Sequence, residues 1–213
     1  MSKYKKYFQK VLKTHFPDRA AVLFANIDAT FEVIRPDVHF AKHSTNPIDR
    51  RLEFAAYFLA TGVQLEQEKV EYGAIRAILL EIAHEYVRPK NKLQRFLKRL
   101  PAKVIGSKFA NILLQKFDAK VRTKGHPDGF MAHILTQKEA IPGFIYGFDI
   151  VECGICKLFA KHNYQRFAPI LCEVDHVTSN LAGLSLTRSG TIANGAAKCD
   201  FRFTKIVSTL PLV

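Results

Sequence analysis

All four cysteines of this 213-residue chain, Cys153, Cys156, Cys172 and Cys199, lie between Asp149 and Phe203, close in sequence to Glu152, Asp175 and Arg188. A thiol beside a cation or at a helix N-terminus can ionise and act as a nucleophile. A carboxylate can serve as acid or base, and a guanidinium can fork onto a carboxylate. Two further readings of the thiols compete with this one. Cys153-x-x-Cys156, followed by Cys172-x-x-x-His176, superficially has zinc spacing, but the first pair straddles a strand-to-helix junction and Cys199 is left over. Cys-Gly-Ile-Cys also resembles a redox pair, although no alternating βαβ pattern surrounds it. The bland alternative is that a free Cys in a strand is a small buried hydrophobe.

Strand parity argues for convergence. Asn194-Gly195, flanked by residues that suit strands, is a strong hairpin signal, because a type I′ turn needs two residues tolerant of positive φ. A turn centred there pairs Leu186 with Phe203, Arg188 with Phe201 and Gly190 with Cys199. Leu184, Leu186, Arg188 and Ile192 then share an apolar face with Cys199, Phe201 and Phe203, while Ser189, Thr191, Asp200 and Arg202 occupy a wet one. Arg188 and Cys199 are inward exceptions, and an inward guanidinium must meet an anion. Gly190 opposite the thiol would leave room for one. In the preceding strand, Phe144, Tyr146, Phe148 and Ile150 alternate until Glu152, which would sit at the mouth of the core.

The segments ECGICKLF, LCxxD, RxxTIAxG and CDFRF resemble the L-2-amino-thiazoline-4-carboxylic acid hydrolase family over roughly residues 147–203. That resemblance implies a hydrolase opening a small cyclic amidine or thiazoline ring to N-carbamoyl-cysteine. Cys199, Glu152 and Asp175 would be catalytic, while Arg188, Cys153 and Gly190 would bind a carboxylate-bearing substrate. The implied chemistry requires no metal and no cofactor. The stretch from Gly195 to Phe203 is also similar to the ending of 4-vinyl reductase-type domains. This keeps open a non-catalytic module that holds a small ligand or, through cysteines, zinc.

Length and composition, 48% hydrophobic, suit one domain over residues 1–213. No repeat, signal peptide, phosphate loop or membrane span is evident, so a cytoplasmic protein with free thiols is expected. The net charge of +13 is uneven. Residues 88–124 carry 12 Lys and Arg against Asp118 alone, a balance of +11, while residues 126–213 carry 8 against 7. A basic stretch can mark nucleic acid or an acidic membrane. Here Phe96, Phe109 and Phe117 share helical spacing with Leu93, Leu97 and Leu100, which predicts buried faces, a solvated basic side and no specific nucleic-acid site.

The elements that must position these groups follow from periodicity. Residues 1–124 read as helices: one from Tyr4 stopped by Pro17, one capped by Asp18 and stopped by Pro36, then Leu52 to Val63, Ile75 to Tyr86, and two more in the basic stretch. Residues 37–49 read as a loop, in which His39 and His43 form no metal site. From residue 125 strands take over: Phe130 to Thr136, a turn at Ile141-Pro142-Gly143, and Phe144 to Val151. A helix over Ile155 to Phe167, closed by Pro169, and the last hairpin complete the pattern. The expected fold is α+β, with a helical part packed on an antiparallel sheet of two hairpins that a helix separates.

Overall fold

The structure, a computed structural model, describes residues 4–105, 107–135 and 142–206, with backbone only at 101 and 108. It is an α+β fold in the expected order, helices first and a four-stranded antiparallel sheet last. Helices α1 (Lys5–His15), α2 (Ala20–Ile34), α3 (Leu52–Gln67) and α4 (Tyr72–Val87) surround a core in which α3 is the central element. Nearly every side chain of α3 from Ala55 to Leu65 is buried, including the small residues Ala55, Ala56 and Ala60, which let its neighbours approach closely. Tyr57 is fully enclosed, with the ring of Phe8 edge-on at 4.8 Å and its hydroxyl donating to Asp28 at 2.9 Å.

Two local expectations fail for identifiable reasons. Asp18 does not cap α2, whose N-cap is Arg19 without a side-chain bond. Pro36 does not release a loop: the chain tightens directly into a 3₁₀ helix, Arg35–Lys42, whose first turn tolerates proline because its N–H has no partner to lose. A second 3₁₀ turn, Pro47–Arg51, is capped by Asn46, whose side chain accepts from the Ile48 amide at 3.0 Å.

Strands β1 (Met131–Leu135), β2 (Tyr146–Glu152), β3 (Leu184–Thr187) and β4 (Cys199–Lys205) stand in the order β1-β2-β4-β3. Thr136 and Ile141, expected at the end of the first strand and in its turn, lie outside the described residues. Between β2 and β3 the chain forms α7 (Gly154–Lys161), a 3₁₀ turn and α8 (Ala168–Leu181). The single expected helix is therefore two. Pro169 opens α8 within its first turn instead of closing α7.

The register confirms the parity argument. Leu186 pairs with Phe203, Phe148 with Phe201 and Ile150 with Cys199, so one face carries stacked aromatic rings, with Phe148 and Phe201 4.4 Å apart. The opposite face is polar. Asp149, buried there, is held by Arg202 at 2.8 Å and Lys198 at 2.6 Å.

The turn differs from expectation. Asn194 does not adopt positive φ, and residues 188–198 leave the ladder to form a wide loop. The Asp200 carboxylate accepts from the amides of Ser189 and Gly190 at 2.9 and 3.0 Å, and the Cys199 sulfur accepts from the Ile192 amide at 3.2 Å. Those side chains replace the ladder partners that a tight hairpin would require. Asn194 ends a 3₁₀ turn, and Gly195 follows it at φ +88°.

Helices α5 (Lys92–Val104) and α6 (Lys108–Val121) correct a further expectation. Their apolar stripes are not buried: Phe96 and Phe109 are 51% and 70% exposed. The body instead contacts Ala102 on α5, and Ala110 and Val121 on α6 are buried.

Candidate active site

The site is assembled where the end of β2, the start of α7, the middle of α8 and the start of β4 meet. Cys153 is the N-cap of α7, with extended backbone leading from the strand. Its side chain makes no regular cap bond. Its sulfur nonetheless lies near the Cys156 thiol and the amides of Cys156 and Ile155. The Cys156 thiol above all, then those amides against the opposing cost of burial, hold its pKa below the usual thiol value. Cys156, one turn further on, is the proton-bearing partner, pushed far up by Cys153 and by burial. The Cys-x-x-Cys spacing thus has a plain physical effect: the helix N-terminus and the second thiol favour thiolate on the first.

The remaining thiols are protonated neighbours within electrostatic range. Burial, with Asp175 adding to it, pushes Cys172 up to about 12. Burial also raises Cys199, which lies 3% exposed at the start of β4 opposite Ile150.

Arg188 answers the requirement for an anion. Its guanidinium donates to Asp175 Oδ2 at 2.9 Å and to the Cys172 carbonyl at 2.7 Å, and its Cζ lies 5.4 Å from the Phe201 ring centroid. The pair sits at the inner face, with the Arg188 side chain only 10% exposed. Asp175 is in mid-α8, not at a helix end. Burial pushes its carboxyl up against the opposing pull of Arg188.

Two expected members stand apart from this cluster. Glu152 shares the inner face, but its carboxylate is clamped by Lys124 at 2.6 Å and by Lys157. Those two ammonium groups, Lys124 first, lower its pKa and leave a carboxylate already engaged. Gly190 does not leave space opposite Cys199. A Cβ there would come within 2.8 Å of the Ala196 Cβ, so the absence of a side chain serves the packing of the loop.

One residue escaped the sequence argument. Thr191, assigned by parity to the wet face, is 3% exposed because the ladder ends before it, and its hydroxyl has no hydrogen-bond partner among the described residues. It is adjacent to Ile192, whose amide meets Cys199. The signal was its place in the RxxTIAxG segment, between the cation and the thiol.

Among the described residues, no three His, Cys, Asp or Glu side chains are grouped as metal ligands would be. His39 and His43 approach only ring to ring, with centroids 6.2 Å apart. None of the described helices is long and apolar enough to cross a membrane.

A small α+β protein with thiols gathered about a half-buried Asp-Arg pair is the class that fold and geometry define. The family model for L-2-amino-thiazoline-4-carboxylic acid hydrolase matches residues 67–203, and the chain belongs to that family. The match reaches well upstream of the cysteine-rich segment, through α4, α5 and α6. No curated protein and no solved structure matches the chain.

Proposed function

We propose that the chain hydrolyses a small cyclic amidine of the 2-aminothiazoline-4-carboxylate type, opening the ring to an N-carbamoyl-cysteine. The observation that carries this reading is the place of the Cys153 thiol, at the N-cap of α7 beside the Cys156 thiol and two helix amides, with the Arg188–Asp175 pair within electrostatic range.

The Cys153 sulfur forms a bond to the amidine carbon. The ring carbon–sulfur bond then breaks, and its electron pair leaves on the ring sulfur as a thiolate. Water gives a proton to the Asp175 carboxylate as it adds to the same carbon, Cys153 departs as thiolate, and Asp175 passes that proton to the ring sulfur, which becomes the product thiol. Arg188 positions Asp175, and its N–H groups not directed at Asp175 or Cys172 receive the substrate carboxylate. Thr191 offers its unpaired hydroxyl to a polar atom of the substrate, which removes the cost of leaving it buried and unbonded. Cys199 lines the site as a neutral thiol, and Glu152 holds Lys124 and Lys157 at the rim.

The covalent step is directly testable. Acid quenching during turnover, followed by peptide mass analysis, should find the ring-opened adduct on Cys153. An adduct confined to Cys199 would reassign the nucleophile, and turnover with no adduct on any cysteine would favour direct attack by water.

A further inference from the structure

Helix α5 is built inside out. Leu93, Phe96 and Leu97 fall within one face at helical spacing, yet each is at least half exposed, whereas Ala102 on the opposite side is buried. Phe109, Ile112 and Leu113 on α6 form a second exposed stripe, while Ala110 is buried and Val121 packs against the sheet. Water on that many large apolar side chains is unfavourable at ~25 cal/mol per Å², and contiguous patches of this kind mark interaction surfaces.

The charge around the stripes selects the partner. Residues 88–124 carry 12 Lys and Arg against one acid, so +11 of the chain's +13 resides there. The single acid, Asp118, is turned inward, 2.6 Å from the Ile134 amide. An interface between two copies through this face would set two such segments against each other, which like-charge repulsion opposes. A nucleic-acid duplex would meet the cations but leave the leucine and isoleucine side chains without an apolar partner. A bilayer with anionic headgroups satisfies both demands. Apolar side chains enter ~5–10 Å into the headgroup and acyl boundary while Lys and Arg remain among the phosphates. We infer that α5 and α6 dock the protein peripherally on an anionic lipid surface. Lipid docking is independent of ring opening, since neither helix carries a residue assigned to the reaction.

The test is co-sedimentation of the full chain with phosphatidylcholine vesicles, with and without phosphatidylglycerol. Binding is expected only to the anionic vesicles. It should weaken with salt and fall about tenfold or more in the Phe96→Ser/Phe109→Ser protein, whose exposed positions leave the melting temperature unchanged. The Lys116→Gln/Lys120→Gln protein should also bind more weakly. Failure to bind anionic vesicles overturns the inference, as does equal binding by the serine variant, which would indicate adsorption by charge alone. A dimer that the serine substitutions dissolve would assign the face to a second copy. Binding to duplex DNA that displaces the vesicles would assign it to nucleic acid.

Discussion

The cysteine-rich end of the sheet and the α5–α6 segment are opposite solutions to exposure. At the first, charges are half-buried and each has a partner: Arg188 meets Asp175 and the Cys172 carbonyl, and Glu152 meets two ammonium groups. At the second, apolar groups are outside and nothing among the described residues covers them. The contrast teaches that composition alone does not locate function. The nearly neutral segment holds the organised electrostatics, while the strongly basic one holds the uncovered hydrophobic surface.

Breaking the first region should have the largest effect on stability. Replacing Arg188 by Leu leaves Asp175 without its cation in a mostly buried setting, and the expected loss is about 3 kcal/mol. Denaturant melts at neutral and mildly acidic pH would check it. The deficit should shrink in acid, because Asp175, already raised by burial, then takes up a proton and is no longer an unpaired charge.

Next in size is the thiol pair. Thiolate absorbance should report a Cys153 pKa below the ordinary ~8.5. Cys156→Ala should move it upward, since it removes the largest influence on that thiol. A profile unchanged by the substitution would show that the helix N-terminus acts without the second sulfur.

The clamp on Glu152 is weaker. Its folded pKa is depressed, so its stabilisation is present above the ordinary glutamate range and is lost as pH falls through the lowered value. Glu152→Gln should cost about 1 kcal/mol or less at neutral pH, as a partly exposed ion pair does. Calorimetry at two pH values would show whether the difference vanishes in acid. The smallest effect on folding belongs to the second region. Phe96→Ser/Phe109→Ser should alter stability by no more than about 0.5 kcal/mol per site, whereas dye binding to apolar surface should fall clearly.

Much of the arrangement was legible from residue order. A turn placed at Asn194-Gly195 paired Leu186 with Phe203 and alternation turned Arg188 and Cys199 inward; both hold although that turn does not form, because a half-buried sheet leaves little freedom of register. Local side-chain bonding was less legible. Asp200 and Cys199 capture amides of the loop and override the Asn-Gly turn, which also carries Thr191 from the wet side to the buried one. The ion pairing of Glu152 was not legible because Lys124, 28 residues earlier, returns to it only through the fold. For α5 the apolar period was read correctly, but it gives a face without a direction. Only tertiary contact at Ala102 shows which side meets the body.

The central claim, that the gathered thiols form a hydrolytic site led by Cys153, is tested most directly by thiol release from 2-aminothiazoline-4-carboxylate. Wild type, Cys153→Ser and Cys199→Ser should be assayed side by side. Turnover by wild type, a loss of roughly 1,000-fold or more in Cys153→Ser, and retention of most activity in Cys199→Ser are the predicted results. Full activity in Cys153→Ser would contradict the account.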